Sequence, residues 1–179
     1  MEKTMSTKLI EGHAYVGGHK IAYLEQGSGS LVILIHGIPT NSQMWRAIIP
    51  QLAATHRVIA PDLLNYGQSE KPKSADVSIN AQSRMILHFM RALGIRSADV
   101  VAHDIGGGVA QLIAVNAPEA VRKLVLIECL FRLVAHPGVR AFAAPGGGGE
   151  DELESLHHHD ARLYAHGRCQ QKCDDRRGH

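Results

Sequence analysis

The sequence contains few cysteines and few aromatic residues, and it lacks any long apolar run. Its 179 residues include three cysteines, and 4% of the chain is aromatic. The first cysteine is Cys129, so the sequence argues against a disulfide framework and predicts a reducing, cytoplasmic location. No apolar run approaches the roughly 18 residues that a membrane-spanning helix needs. The opening segment, 1–6, carries no apolar stretch of the kind that a secretion signal requires.

Charge and overall composition narrow the class of protein further. The formal net charge of +2 is too small to indicate a nucleic acid or a membrane surface as a partner. Hydrophobic residues make up 45% and charged residues 20% of the chain, which is typical of a globular protein with an apolar core.

The composition changes near residue 130. Before that point apolar runs alternate with amphipathic segments, whereas large apolar residues are few afterwards. We therefore predict a partial α/β core over residues 1–130 and a tail of low order over 131–179. The abrupt change also motivates the hypothesis that the tail is a frame-shifted continuation. Its histidines and cysteines lack a standard zinc-ligand spacing, so no metal site is predicted.

Hydrophobic periodicity predicts strands that alternate with helices. Gly17 and Gly18 are typical of a tight hairpin between the first two strands. Thr40 and Gln43 form a capping-box pattern, which predicts a helix from there to about Leu52. Strands are expected at 9–16, 19–24, 31–35, 57–60, 99–102 and 121–127, and further helices at 78–93 and 106–117. This alternation predicts a mostly parallel sheet with right-handed crossovers, the α/β class.

The most informative motif surrounds Asp104. A strand ending at Ala102 is followed by a sharp turn and a helix, and Ala102 and Gly106 are the small neighbours that such a turn requires. The pattern small–x–Asp–x–Gly is a nucleophile elbow with aspartate where serine is usual. A carboxylate nucleophile attacks carbon and forms an alkyl ester, which water must then open. The alternative is that Asp104 only caps the helix, since aspartate is a common N-cap residue.

A second motif, HGIP at 36–39, follows the third predicted strand. In sites built around an elbow, the loop after this strand and the residue after the nucleophile supply the N–H groups of an oxyanion hole. We therefore expect the backbone N–H groups of Ile38 and Ile105 to form it, because Pro39 has no N–H.

Four other residues near these motifs have candidate roles. His36 and Trp45 are predicted to line the substrate site, with structural hydrogen bonds as the alternative role of His36. Asp62 and Ser69 lie in the loop after the fourth predicted strand, where a structural role is favoured.

Three segments carry a resemblance to a known family: HGIPTNSQMW (36–45), DLLNYGQSEKP (62–72) and AHDIGGGVAQ (102–111). In this order and spacing they resemble the N-terminal half of an α/β-hydrolase, in the branch of the haloalkane dehalogenases and epoxide hydrolases. The resemblance implies that Asp104 is the nucleophile, that the substrate is a small molecule and that no cofactor is used. It also makes Glu128 a candidate catalytic acid, because some dehalogenases keep this acid after the equivalent strand; a surface glutamate is the alternative.

The sequence departs from that pattern in two respects. Ile38 and Ile105 occupy the positions at which dehalogenases of this branch keep halide-binding Asn and Trp side chains. The histidine base of the family lies near the C-terminus of a complete chain, and no equivalent is identified in this sequence. Asp104 is then expected to form its ester once and stall.

Two other functions stay open from the sequence. One is ester hydrolysis, as in relatives with serine at the elbow, and the other is a hydrolase-like module or fragment without catalysis. With the later strands missing, the strand that ends at Ile127 is expected to be an exposed sheet edge and to promote self-association.

Overall fold

A computed structural model describes residues 8–129 in full and the backbone of 140–143. The rest of the predicted tail lies outside the described residues. Three α-helices are described, namely α1 (Ile49–Ala53), α2 (Ile79–Ala92) and α3 (Ile105–Asn116). The strands of the described sheet are β1 (Ile10–Val16), β2 (His19–Gly27), β3 (Ser30–Ile35), β4 (His56–Pro61), β5 (Ala98–His103), β6 (Val121–Ile127) and β7 (Arg140–Ala143).

These strands form a mostly parallel sheet with the order β1-β2-β4-β3-β5-β6-β7. The predicted hairpin is confirmed: β1 and β2 are antiparallel, and Gly17 and Gly18 turn the chain with φ values of 57° and 85°. Strand β2 is also antiparallel to β4, whereas the pairs from β4 through β7 are parallel. The fold is therefore the predicted α/β arrangement with an antiparallel N-terminal pair.

The apolar side chains of the sheet form a core on each face. On one face, Ile33 packs with Phe89 of α2 and Ile113 of α3, and all three are fully buried. On the other face, Leu34 packs with Trp45 and the short helix α1. Successive residues of β3 thus enter opposite cores, which explains why this strand is a continuous apolar run.

The helix predicted from Thr40 to about Leu52 is wrong. The chain instead forms a 3-10 turn at Ser42–Trp45, capped by the Asn41 side chain, and then the short helix α1. The Thr40 hydroxyl donates to the Gly37 carbonyl rather than capping a helix. Pro50 explains the break, because a proline inside a continuous helix would lack an N–H and collide with the preceding turn.

Strand β6 is not the edge of the described sheet, contrary to the expectation for the strand that ends at Ile127. Strand β7 pairs with it in parallel, from Lys123 opposite Arg140 to Leu126 opposite Ala143. The outer strands of the described sheet are therefore β1 and β7. Self-association through an exposed sheet edge stays a prediction. The strands that could take part in it are β1 and β7 rather than β6.

The loop after β4 is organised by the buried carboxylate of Asp62. One carboxylate oxygen accepts from the Ser42 N–H at 2.7 Å, and the other accepts from the Gln68 N–H at 2.7 Å. The Ser69 hydroxyl donates to the Asp62 carbonyl at 2.7 Å and accepts from the Ala22 N–H at 2.9 Å. The favoured structural role of Asp62 and Ser69 is confirmed by these bonds.

We expect Asp62→Asn to lower the free energy of unfolding by about 2 kcal/mol or more, because an amide NH2 would face a backbone N–H inside the protein. Urea denaturation of both proteins measures the difference. Asp76→Asn is the matched control, since Asp76 also accepts a backbone N–H but is exposed. Equal effects of the two substitutions would contradict the importance of burial at Asp62.

Candidate active site

Asp104 lies at the tip of a sharp turn between β5 and α3. Its backbone has φ 52° and ψ −124°, in the positive-φ region that non-glycine residues rarely occupy. A conformation of this kind costs on the order of 1–3 kcal/mol and persists only where the surroundings hold it. Two backbone bonds do so: the Asp104 N–H donates to the Ile127 carbonyl at 3.2 Å, and the Gly107 N–H donates to the Asp104 carbonyl at 2.9 Å.

Small residues let three chain segments meet at this turn. A side chain at Gly37 would overlap the Cβ atom of Asp104, and one at Gly106 would overlap the carbonyl of His36. Ala102 is fully buried below the turn. The small residues at 102 and 106 were predicted from the elbow pattern, whereas the requirement at Gly37 was not, because it arises between two separate loops.

The carboxylate of Asp104 accepts a hydrogen bond from the backbone of the neighbouring loop. The Ile38 N–H donates to its Oδ1 atom at 3.1 Å. Hydrogen bonding from the Ile105 amide, and then from Ile38, holds the pKa of this carboxyl below its usual range, although partial burial opposes the shift. Of the two predicted oxyanion-hole donors, Ile38 contacts the carboxylate and Ile105 contributes to its lowered pKa; their role as an oxyanion hole stays a prediction.

The alternative that Asp104 only caps α3 finds no support in the geometry. Its side chain makes no capping hydrogen bond to the amides farther along the first turn of the helix. The carboxylate instead contacts the Ile38 amide of a different loop.

Glu128 lies beside this turn, at the end of β6. Its side chain is 83% exposed, and its backbone φ of 49° is again positive. Its carboxylate accepts a hydrogen bond from His103 Nε2 at 3.3 Å. Sequence reasoning placed Glu128 near Asp104 but missed its pairing with His103, because the register of β5 against β6 cannot be read from either segment alone.

His36 and Trp45 do not fit the predicted substrate-lining role. His36 is fully buried, accepts the Leu63 N–H at Nε2 (2.9 Å) and donates from Nδ1 to the Gly37 carbonyl (3.0 Å). Burial lowers the pKa of His36, so its ring is neutral near pH 7. Trp45 is 5% exposed within the core beside β3. The structural alternative for His36 is therefore the one that its contacts support.

Within residues 8–129 and the strand 140–143, no group of three His, Cys, Asp or Glu side chains is arranged to hold a metal ion. In the same part of the chain, no helix combines the length and the apolarity that crossing a membrane requires.

Comparison with known proteins places the chain in a family. Residues 30–141 match the model of the alpha/beta hydrolase fold, which is more than half of the chain. The chain belongs to the α/β-hydrolase fold family.

The relatives of the chain include enzymes of the branch indicated by its motifs. It is 33% identical over 130 residues to a soluble epoxide hydrolase from Corynebacterium sp. (strain C12). The match covers 73% of this chain and 45% of the relative. It is 42% identical over 109 residues to a haloalkane dehalogenase from Mesorhizobium japonicum, covering 60% of this chain and 35% of the relative. These curated relatives are more than twice as long as the matched region.

A solved structure has the same fold over the matched region. The haloalkane dehalogenase DbeA from Bradyrhizobium elkani USDA94 superposes with a TM-score of 0.65 and 37% sequence identity, over 68% of this chain and 42% of that chain. The likeness supports the fold and the branch of the haloalkane dehalogenases and epoxide hydrolases.

The lowered pKa of Asp104 predicts a pH-dependent stability. An ionised Asp104 stabilises the fold above its unfolded-state pKa, and this contribution is lost as pH falls through the lower folded-state value. We therefore expect the unfolding free energy of the wild-type protein, relative to Asp104→Asn, to fall as the pH is lowered below about 5. Urea titrations of both proteins across this range measure it, and a constant difference would refute the expectation.

Proposed function

We propose that this protein is a hydrolase in which Asp104 attacks an electrophilic carbon of a small organic molecule, such as an epoxide or an alkyl halide. The observation that carries the proposal is the Asp104 carboxylate at the tip of the turn, with the Ile38 N–H 3.1 Å from its Oδ1 atom. The pKa of this carboxyl is lowered by its amide contacts, so the group is an anion at neutral pH.

The geometry suits a displacement at carbon. With Oδ1 held by the Ile38 amide, the other carboxylate oxygen is available to form the new bond. The bond to the leaving atom breaks as the new C–O bond forms, and its electron pair departs with that atom. The product of this step is an ester of Asp104.

The same two amides suit the second step. Water attacks the Asp104 carboxyl carbon while a base takes its proton, and negative charge develops on the ester carbonyl oxygen. Collapse of this oxyanion breaks the acyl C–O bond, so the product leaves as an alcohol after taking up the proton, and the Asp104 carboxylate is restored. The N–H groups of Ile38 and Ile105 are then the donors that stabilise this oxyanion. Glu128 is proposed as the carboxylate that orients the base of this step.

Some of the relatives are named for the same class of chemistry. Besides the epoxide hydrolase and the haloalkane dehalogenase, they include a fluoroacetate dehalogenase from Burkholderia sp, which is 33% identical over 133 residues. The substrate of this chain is inferred to be small and partly apolar, because Ile38, 49% exposed, borders the carboxylate.

Whole-protein mass spectrometry tests the first step. We expect incubation with a panel of reactive epoxides and haloalkanes to add one substituent mass per chain, located on Asp104 by peptide mapping. The adduct should accumulate, because His36 has both ring nitrogens in backbone hydrogen bonds and His103 has its Nε2 atom on Glu128, so neither histidine presents a free base to the ester.

Asp104→Asn is the control, since the amide keeps the shape but is a much weaker nucleophile. The absence of an adduct in the wild-type protein across the panel would reject the proposal. An adduct that forms equally in Asp104→Asn would assign the reaction to another residue. Sustained turnover would instead show that a base acts on the ester.

Gly37→Ala tests whether the reaction needs the short distance between the Asp104 carboxylate and the Ile38 amide. The added methyl group would overlap the Asp104 Cβ atom and displace the carboxylate from the Ile38 amide. We expect adduct formation to slow by at least about tenfold, because small displacements at a reacting centre are costly. Adduct mass against time measures the rate, with circular dichroism to establish folding, and an unchanged rate would contradict the required approach.

A further inference from the structure

The carbonyl oxygen of Gly37 accepts hydrogen bonds from three donors. The Thr40 hydroxyl lies 2.8 Å from it, and the Thr40 backbone nitrogen lies 3.0 Å from it. The third donor is His36 Nδ1, also at 3.0 Å. Because the other ring nitrogen of His36 accepts from the Leu63 N–H, the proton of the neutral ring is on Nδ1, which therefore donates. The proposed mechanism assigns no role to Thr40.

The other end of the same peptide unit is the amide that contacts Asp104. The unit between Gly37 and Ile38 is trans and planar, so its C=O and N–H point in opposite directions. Holding the carbonyl in one direction therefore fixes the direction of the Ile38 N–H, which lies 3.1 Å from the Asp104 Oδ1 atom. Donors on the carbonyl also polarise the peptide unit and make its N–H a stronger donor.

The identity of Gly37 explains why this peptide unit needs to be held. A side chain at this position would overlap the Cβ atom of Asp104, so the close approach of the two loops requires glycine. Glycine is also the residue that restrains its own backbone least. The donors on the Gly37 carbonyl supply the restraint that a side chain would otherwise give.

The Thr40 hydroxyl contributes to this restraint as a donor. A carbonyl oxygen only accepts, so the 2.8 Å contact is favourable when the hydroxyl proton lies on it. The Met44 sulfur, 3.2 Å from the same hydroxyl, is the weaker acceptor of the two. Without the hydroxyl the Gly37 carbonyl keeps its other two partners, so no buried acceptor is left unpaired and the fold should persist.

We propose that Thr40 is a positioning residue of the candidate active site. By holding the Gly37 carbonyl, its hydroxyl aims the Ile38 N–H at the Asp104 carboxylate. The consequence for catalysis rests on the proposed function: the same N–H would donate to the ester carbonyl oxygen on which charge develops. Loss of the hydroxyl then weakens the stabilisation of that oxyanion.

Nuclear magnetic resonance of the Ile38 amide tests the proposal without a substrate. We expect Asp104→Asn to move the Ile38 amide proton upfield, because an amide oxygen is a weaker acceptor than a carboxylate. In a Thr40→Val background the same substitution should move it much less, since the N–H no longer points at residue 104. Comparing the two backgrounds removes the direct effect of Thr40 on its neighbour. Thr40→Ser keeps the hydroxyl and should keep the full change.

Ser83→Ala is the matched control. The Ser83 hydroxyl also donates at 2.8 Å to the carbonyl three residues earlier, that of Asn80, but it belongs to helix α2 rather than to a loop of the site. Its removal should leave the effect of Asp104→Asn on the Ile38 resonance unchanged. An undiminished effect in Thr40→Val, or a diminished one in Thr40→Ser, would overturn the role of Thr40. Thr40→Ala carries the same expectation if Thr40→Val does not fold.

Cleavage of the Asp104 ester by hydroxylamine separates this inference from the proposed function. After alkylation by an epoxide or a haloalkane, the nitrogen of hydroxylamine attacks the ester carbonyl carbon, the alcohol departs, and Asp104 becomes a hydroxamate. We expect this cleavage, followed by mass spectrometry, to slow about tenfold in Thr40→Val and to keep its rate in Thr40→Ser, because a misdirected donor stabilises the oxyanion less.

The outcomes are distinct. An adduct that is cleaved equally fast in the wild type and in Thr40→Val would overturn the role of Thr40 in catalysis and leave the proposed function standing. If no adduct forms in the wild type, the proposed function fails, and the Ile38 resonance still decides whether Thr40 aims the amide.

Discussion

The convergence of backbone amides on the Asp104 carboxylate is the interaction around which the site is built. The Ile38 amide comes from the loop after β3, and the Ile105 amide comes from the first residue of α3. Neither donor is a side chain, so among substitutions only proline, which has no N–H, removes a donor directly. The contact depends instead on how closely the two loops approach each other, and Gly37 and Gly106 set that approach. The strained backbone of Asp104 is the consequence of bringing them together.

Much of the fold was predictable because its signals are local. The continuous apolar run of β3 and the glycine pair of the hairpin each specify their element without reference to the rest of the chain. Helix α2 ends as its sequence indicates, with Ser78 as the N-cap and Gly94 at φ 69° after it. The helix expected from Thr40 failed because a capping pattern was given more weight than Pro50, which breaks it.

The candidate site was predictable to the extent that it follows one motif. The elbow pattern located Asp104 and its two amides, because turn geometry and sequence are tightly coupled there. The burial of His36 and Trp45 was not predictable, since it depends on which face of the sheet each side chain enters. The His103–Glu128 contact joins residues on neighbouring strands, and only the register of β5 against β6 reveals it.

The hairpin turn at Gly17 and Gly18 has free space around it, whereas the elbow is crowded. Among the described residues, and apart from the adjoining residues of the chain, no atom lies within 4 Å of the place where a side chain would begin at either glycine. The loop after β4 is joined to β2 through Ala22 and Lys20, so the hairpin is anchored along its length and open at its tip. The hairpin is therefore a natural attachment point for a fluorophore or a surface linker, carried at exposed Tyr15 beside the tip because the positive φ values of Gly17 and Gly18 disfavour other residues there. The protein can be immobilised through it without load on the elbow.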